Sequence, residues 1–349
     1  MPLGLTVRGG APRFANLIRS RRPVHIVVFG TSVTYDGHYL QLLVETLHRE
    51  TGNEAIRLTR VGLWGFTSTF AAFRLESDVL PLNPDLVLIE YAVNDTHMID
   101  DVPYALHAMI GRIRSAHSNC DIGLVYFAPD PHVDQTLAIT AHEAVAEHYG
   151  LPTINMAAVA ADLVKRGKAT LTGGEQAITI DGVHQTPAAA ELLGVPFTDA
   201  MLGLFTGGVV PAPNHAPVAS PFERARSASA GTFISDESWS ATPPSSDEEP
   251  SGAFSNVIAS ARTNGATLRF SFTGFYLLMW ARKTGGILNV VLDGNARRIA
   301  LPEPAGTGAP WEAVKIPLNE GQHEVEIVAS RLPVILADIF IIGEFDYVR

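Results

Sequence analysis

Ser32, in Gly30-Thr31-Ser32-Val33-Thr34, is the first residue whose setting suits nucleophilic chemistry. A serine attacks at neutral pH only when a base takes its proton, and the base needs a third group to orient it. Asp181-Gly182-Val183-His184 offers both, because its three-residue spacing lets a carboxylate meet an imidazole at one turn and hold its tautomer. Attack on a carbonyl also creates a negatively charged oxygen, which needs donors already in place. Gly65, through its backbone amide, and Asn94, through its side chain, lie in loops where they can be such donors. Each residue also has a plainer role open to it. Ser32 and the Asn94-Asp95 pair can cap the helices that follow them, Asp181-Gly182 can be an ordinary turn, and Gly65 a loop glycine. Ser32 also departs from the G-x-S-x-G elbow at its last position, where Thr34 stands.

The elements around these residues decide whether they can meet. Val24 to Phe29 is short, apolar and β-branched, the pattern of a strand buried on both faces, and the apolar spacing of Tyr39, Leu40, Leu43, Val44 and Leu47 predicts a helix after it. Ser32 therefore falls on a strand-to-helix turn, at the carboxyl end of a strand, where open α/β sheets keep their sites. Further strands are expected at Ala55–Val61, Asp85–Tyr91, Asp121–Phe127 and Pro152–Met156. Helices are expected at Phe66–Val79, at about Pro103–His117, up to His148, and on either side of the loop Thr172–Thr186. This alternation predicts an α/β domain, a parallel sheet covered on both faces in three layers, over residues 1–205. The Gly- and Pro-rich stretch 206–220 reads as a linker. From 221 to 349 the period becomes alternating, at 267–272, 276–280, 288–292, 324–328 and 337–342, with Asp293-Gly294 and Glu320-Gly321 as turn signals. That half reads as an antiparallel β-sandwich, with Ser235–Ser251 as a solvated loop.

The chain has 349 residues, 46% of them hydrophobic, enough for two cores. Its net charge of −11, with no basic block, speaks against nucleic acid as a partner, and no apolar run is long enough for a membrane span. Residues 1–22 carry five arginines and do not resemble a secretory signal, and Cys120 is the single cysteine; both favour the cytoplasm. Asp130, His132, Asp134 and His184 raise the alternative of a metal site, but Asp130-Pro131-His132 lacks a recognised ligand spacing, so no metal and no cofactor is expected. His25, His38 and His97 read as structural or loop histidines, the last two close enough to their motifs to border a cleft. Trp239, Trp280 and Trp311 could stack on sugar rings or serve as core, and core is the preferred reading of Trp280.

Taken in order, Gly30-Thr31-Ser32, Gly65-Phe66-Thr67, Ala92-Val93-Asn94-Asp95 and Asp181-Gly182-Val183-His184 resemble the four blocks of the SGNH hydrolase superfamily, the GDSL esterases and lipases, over residues 24–205. Thr31 stands where that family usually has aspartate and Ala92 where it commonly has glycine. The resemblance implies Ser32 as nucleophile, His184 as base and Asp181 as its orienting partner. It also implies an oxyanion hole of the Ser32 and Gly65 amides and the Asn94 side chain. The implied activity is a serine esterase that works through an acyl-enzyme on a small acyl ester, most of all acetyl on a carbohydrate. Two alternatives stand beside it: an O-acetyltransferase using the same acyl-enzyme, and a catalytically silent glycan-binding protein. By analogy of fold, residues 221–349 resemble the jelly-roll modules that accompany some carbohydrate esterases. Oligomeric state is left open.

Overall fold

A computed structural model of the chain describes residues 2–97, 99–127, 136–206, 218–243, 257–303 and 311–346. It divides into two compact units, Met1–Ser220 and Pro221–Arg349. Most of the expected linker, 207–217, lies outside the described residues, as does the second part, 244–251, of the expected loop 235–251.

The first unit is built on strands β1 (Leu5–Thr6), β2 (Val24–Gly30), β3 (Ile56–Gly62), β4 (Leu86–Glu90), β5 (Asp121–Tyr126) and β6 (Thr153–Asn155). They form one sheet in the order β1-β6-β5-β4-β2-β3, parallel from β2 to β6, with β1 antiparallel on the edge beside β6. Every residue of β2 and β4 is buried, which is why both are apolar at nearly every position, His25 and Glu90 being the exceptions. Helices α1 (Pro12–Arg19), α2 (Ser32–Asp36), α3 (Leu43–Thr51), α4 (Ser68–Asp78), α5 (Val102–Ala116), α6 (Thr136–Tyr149), α7 (Met156–Lys165), α8 (Ala189–Leu192) and α9 (Gly194–Thr206) complete it, with a small parallel pair, β7 (Thr170–Thr172) and β8 (Ala177–Thr179). Phe14 of α1, Leu43 and Leu47 of α3, Val159 of α7 and Met201 of α9 share one core with Ile26, Val28, Leu86 and Leu88 of the sheet. Helices α4, α5 and α6 pack on one another outside that core, so the expected three layers are present. The chain order reverses between β2 and β4, which flank the same crevice, and such a switch point is where α/β sheets take ligands.

Two local expectations change. The helix expected after β2 is three pieces: α2, a 3-10 turn at His38–Leu40, and α3. Gly37, at φ 61°, takes the left-handed conformation that ends α2. In the second unit Glu320-Gly321, expected as a turn, lies inside a strand.

That unit is antiparallel throughout: β9 (Ala225–Ser229), β10 (Trp239–Thr242), β11 (Ile258–Ala261), β12 (Thr267–Arg282), β13 (Ile287–Leu292), β14 (Asn295–Ala300), β15 (Trp311–Arg331) and β16 (Ile335–Asp346). β10 occupies part of the expected loop 235–251 and pairs with β11. Asp293-Gly294 is the two-residue turn between β13 and β14, as expected. The runs expected as separate strands at 267–272 and 276–280 are one strand with a crease, where the register shifts between Gly274 and Tyr276. The shift changes parity: Leu268, Phe270 and Phe272 face the core before it, and Leu277, Met279 and Ala281 after it. Gly274 pairs with Gly321 of β15 and Gly343 of β16, so all three long strands bend at one level. A Cβ on Gly274 would lie 2.1 Å from the Ile342 carbonyl oxygen, and one on Gly343 2.0 Å from that of Thr273. Only glycine fits so close an approach. One core cluster takes residues from both sides of the crease, which makes the sheet a sandwich folded on itself. Trp239, Trp280 and Trp311 are all buried, so none offers its face to a sugar.

Candidate active site

The turn that carries Ser32 begins where β2 ends. Gly30 is required by contact: a Cβ there would lie 2.2 Å from Thr34 Oγ1 and 2.7 Å from Glu90 Oε2. Thr31 caps α2, its hydroxyl accepting from the Val33 N–H at 3.2 Å, so the cap is Thr31 and Ser32 is the first residue of the helix. Ser32 is buried, and its hydroxyl makes no hydrogen bond among the described residues.

His184 and Asp181 meet on the loop after β8. His184 Nδ1 lies 2.7 Å from Asp181 Oδ2, while Asp181 Oδ1 accepts from the His184 and Val183 N–H groups at 2.8 and 3.0 Å. Burial works to raise the Asp181 pKa, but these hydrogen bonds outweigh it and hold the carboxyl below its ordinary value. An ionised carboxylate at Nδ1 fixes the N–H there and leaves Nε2 as the basic nitrogen. The loop closes on itself through Ile180 N–H to the His184 carbonyl at 2.7 Å, and Gln185 Oε1 accepts from the Tyr39 N–H at 3.2 Å, tying it to the turn after α2.

The stretch between β3 and α4 joins these two pieces. The Leu63 N–H donates to the Gly30 carbonyl at 2.8 Å, which pins the stretch to the strand end that carries Ser32. The next residue, Trp64, stacks on His184 with ring centroids 5.0 Å apart and planes 19° from parallel. Tyr35, on α2, meets Trp64 edge-on at 6.1 Å. Tyr35 and Trp64 are 45% and 36% exposed in a unit whose aromatics are mostly buried, so they form an aromatic rim beside His184. The burial of Asp36, next to Tyr35, raises its carboxyl pKa, and the nearby His184 and His38 pull it back down. No hydrogen bond joins Ser32 to His184 among the described residues; the link between them is indirect, Leu63 being bonded to the strand end before Ser32 and its neighbour Trp64 being stacked on His184.

Gly65 follows at φ 71°, with open space where a Cβ would be. Asn94 Nδ2 donates to the Phe66 carbonyl at 2.9 Å, which fixes the amide plane and leaves its second N–H for another acceptor. Its Oδ1 accepts no N–H among the described residues, so Asn94 caps no helix there. Asp95 caps α4, its Oδ1 accepting from the Ser68 N–H at 2.7 Å where Thr67 supplies no side-chain cap. Its Oδ2 lies 2.7 Å from His142 Nε2, and both side chains are fully buried. This pair clamps the Gly65 and Asn94 loops together.

Of the other histidines, His25 is structural, bonded to the Leu82 carbonyl and Thr59 Oγ1 at 2.9 and 2.7 Å. Asp130, His132 and Asp134 lie outside the described residues, and among the described residues no cluster of metal-ligating side chains occurs. No described helix is long and apolar enough to cross a membrane. Sequence reasoning passed over Glu90, His142, Trp64 and Tyr35. Trp64, beside Gly65, was the one with a local signal.

A two-domain esterase active on acetylated mannans, solved with mannopentaose, is similar over 99% of this chain and 98% of its own, with a TM-score of 0.79 and 19% identity. A second structure of a two-domain esterase active on acetylated mannans gives 0.78 at the same identity and coverage. The acetylxylan esterase Axe2 of Geobacillus stearothermophilus covers 51% of this chain and 94% of its own, at 19% identity and a TM-score of 0.44. At these identities the full-length likeness is one of fold: an α/β unit followed by an antiparallel one. No protein-family model and no curated protein sequence matches the chain.

Proposed function

We propose that this chain is a serine esterase of the SGNH type that removes small acyl groups, acetyl above all, from a carbohydrate. The observation that carries the reading is the Asp181–His184 pair, held at 2.7 Å with His184 stacked on Trp64, whose neighbour Leu63 is bonded to the strand end before Ser32. Ser32 Oγ attacks the ester carbonyl carbon while its proton passes to His184 Nε2. The resulting oxyanion is held by the Ser32 and Gly65 N–H groups and the second N–H of Asn94. Collapse breaks the bond to the alcohol oxygen, which takes the proton from His184. Water then attacks the acyl-serine with His184 again as base, and the carboxylic acid leaves.

The exposed pair Tyr35 and Trp64 supports a sugar as the alcohol part, since aromatic faces suit the apolar faces of such rings. So does the full-length fold likeness to an esterase that acts on acetylated mannans. The test is release of acetate from acetylated manno- and xylo-oligosaccharides, with 4-nitrophenyl esters of graded chain length beside them. Wild-type protein should prefer acetyl, and Ser32→Ala should lose on the order of a million-fold in turnover. Unchanged hydrolysis by folded Ser32→Ala would sink the reading.

A further inference from the structure

Beneath the nucleophile turn lies a carboxylate that the reaction above does not use. Glu90, the last residue of β4, is fully buried. Its Oε2 accepts from the Thr31 N–H at 3.1 Å, the Thr31 hydroxyl at 2.9 Å and the Thr34 hydroxyl at 3.0 Å. Its Oε1 has no hydrogen-bond partner among the described residues. All three donors belong to the four residues that hold Ser32. Because the Thr31 hydroxyl gives its proton to Glu90, its lone pairs are free to accept the Val33 N–H, so the carboxylate also orders the cap of α2. Thr31 and Thr34, on either side of Ser32, are thus both gripped from one point. The missing Cβ of Gly30 is what lets that point come so close.

We propose that Glu90 is a positioning residue for the nucleophile: its ionised carboxylate, acting through Thr31 and Thr34, holds the Ser32 turn in the conformation that attack requires. The inference rests on the reading of Ser32 as nucleophile. Three donors on one oxygen fit the ionised form, because a protonated carboxyl is a weaker acceptor and must itself donate. Burial opposes that form and pushes the Glu90 pKa up to about 7, with the hydrogen bonds from Thr31 and Thr34 pulling the other way and the charge of Asp95 adding to the rise. The other titratable groups that feel Glu90 are Tyr39 and Tyr91, both themselves raised by burial. The working state of the turn is therefore the costly state of the fold. A carboxyl whose pKa rises on folding, here from 4.5, favours the folded protein below that value. The contribution is lost as pH climbs through about 7.

Glu90→Gln separates positioning from simple support, because the two roles predict opposite changes. The variant should lower kcat roughly tenfold with KM little changed, since a charged acceptor is replaced by a neutral one. It should also unfold at a higher temperature than wild type at pH 8 and at about the same temperature at pH 5. The acidic limb of log kcat/KM in wild type should be steeper than one ionisation allows, and in Glu90→Gln it should relax to one. Thr34→Val, which keeps the carboxylate and removes one donor, should lower kcat by a smaller factor. It decides the matter if Glu90→Gln does not fold. Wild-type kcat in folded Glu90→Gln, or in Thr34→Val alone, overturns the inference while the inactivity of Ser32→Ala upholds the reading beneath it. Retained activity in Ser32→Ala removes both.

Discussion

Two aspartate–histidine pairs in the first unit have the same 2.7 Å separation and opposite surroundings. Asp181 and His184 sit on a rim, with side chains 52% and 28% exposed; Asp95 and His142 are at 0%. Water weakens the attraction within an exposed pair, so Coulomb energy alone holds His184 loosely. Its plane is set instead by the Trp64 stack and by two backbone hydrogen bonds to Asp181. The contact with Asp181 occupies Nδ1 and leaves Nε2 without a hydrogen bond among the described residues, as the proposed base requires. The buried pair is closed to solvent, and its carboxylate spends its other oxygen on the N-terminus of α4. In the proposed reaction the first pair moves a proton, while the second keeps two loops still.

The largest expected effect separates them outright. His184→Ala should cost on the order of a million-fold in kcat and leave thermal unfolding nearly unchanged. His142→Ala should cost about 3–5 kcal/mol of stability, because it leaves Asp95 buried without its partner, while the folded fraction keeps turnover within about tenfold. Steady-state kinetics and denaturant unfolding on the same preparations measure both, and similar profiles for the two variants would erase the distinction. Asn94→Ala comes next, with a fall in kcat of roughly a hundred- to a thousand-fold and little change in KM, since the oxyanion exists only in the transition state. A destabilised but kinetically normal variant would reduce Asn94 to a brace for the Phe66 carbonyl. Smallest is Trp64→Ala. A stacked aromatic contact contributes about 0.5–1.5 kcal/mol, so kcat for a 4-nitrophenyl ester should fall up to about tenfold. A greater loss on an acetylated oligosaccharide would assign the rim to sugar binding as well as to holding His184.

The parts of this molecule that were legible in the sequence are those whose cause is local. β2 and β4 announce themselves because a strand buried on both faces is apolar at nearly every position, and the Asp181–His184 pair because three residues is the distance its turn allows. The Asp95–His142 clamp spans 47 positions and leaves no spacing to read. Glu90 reads as the polar end of an apolar strand, and only the packing of Thr31 and Thr34 against it shows that it is enclosed. Glu320-Gly321 was misread for a related reason. Its composition suits a turn, but Gly274 pairs with Gly321 across the ladder, and the glycine serves a bend that three strands share.

That shared bend has a mechanical consequence. In a sandwich whose layers are separate ladders, one layer can in principle lift from the other along a seam of side chains alone. Here β12, β15 and β16 run through the crease, so each half is sewn to the other by main chain and by ladder hydrogen bonds. Such a unit has no line along which to delaminate. Opening either half disturbs the close approach of Gly274 and Gly343 that the other half depends on, and the unit should therefore come apart as a whole or stay shut.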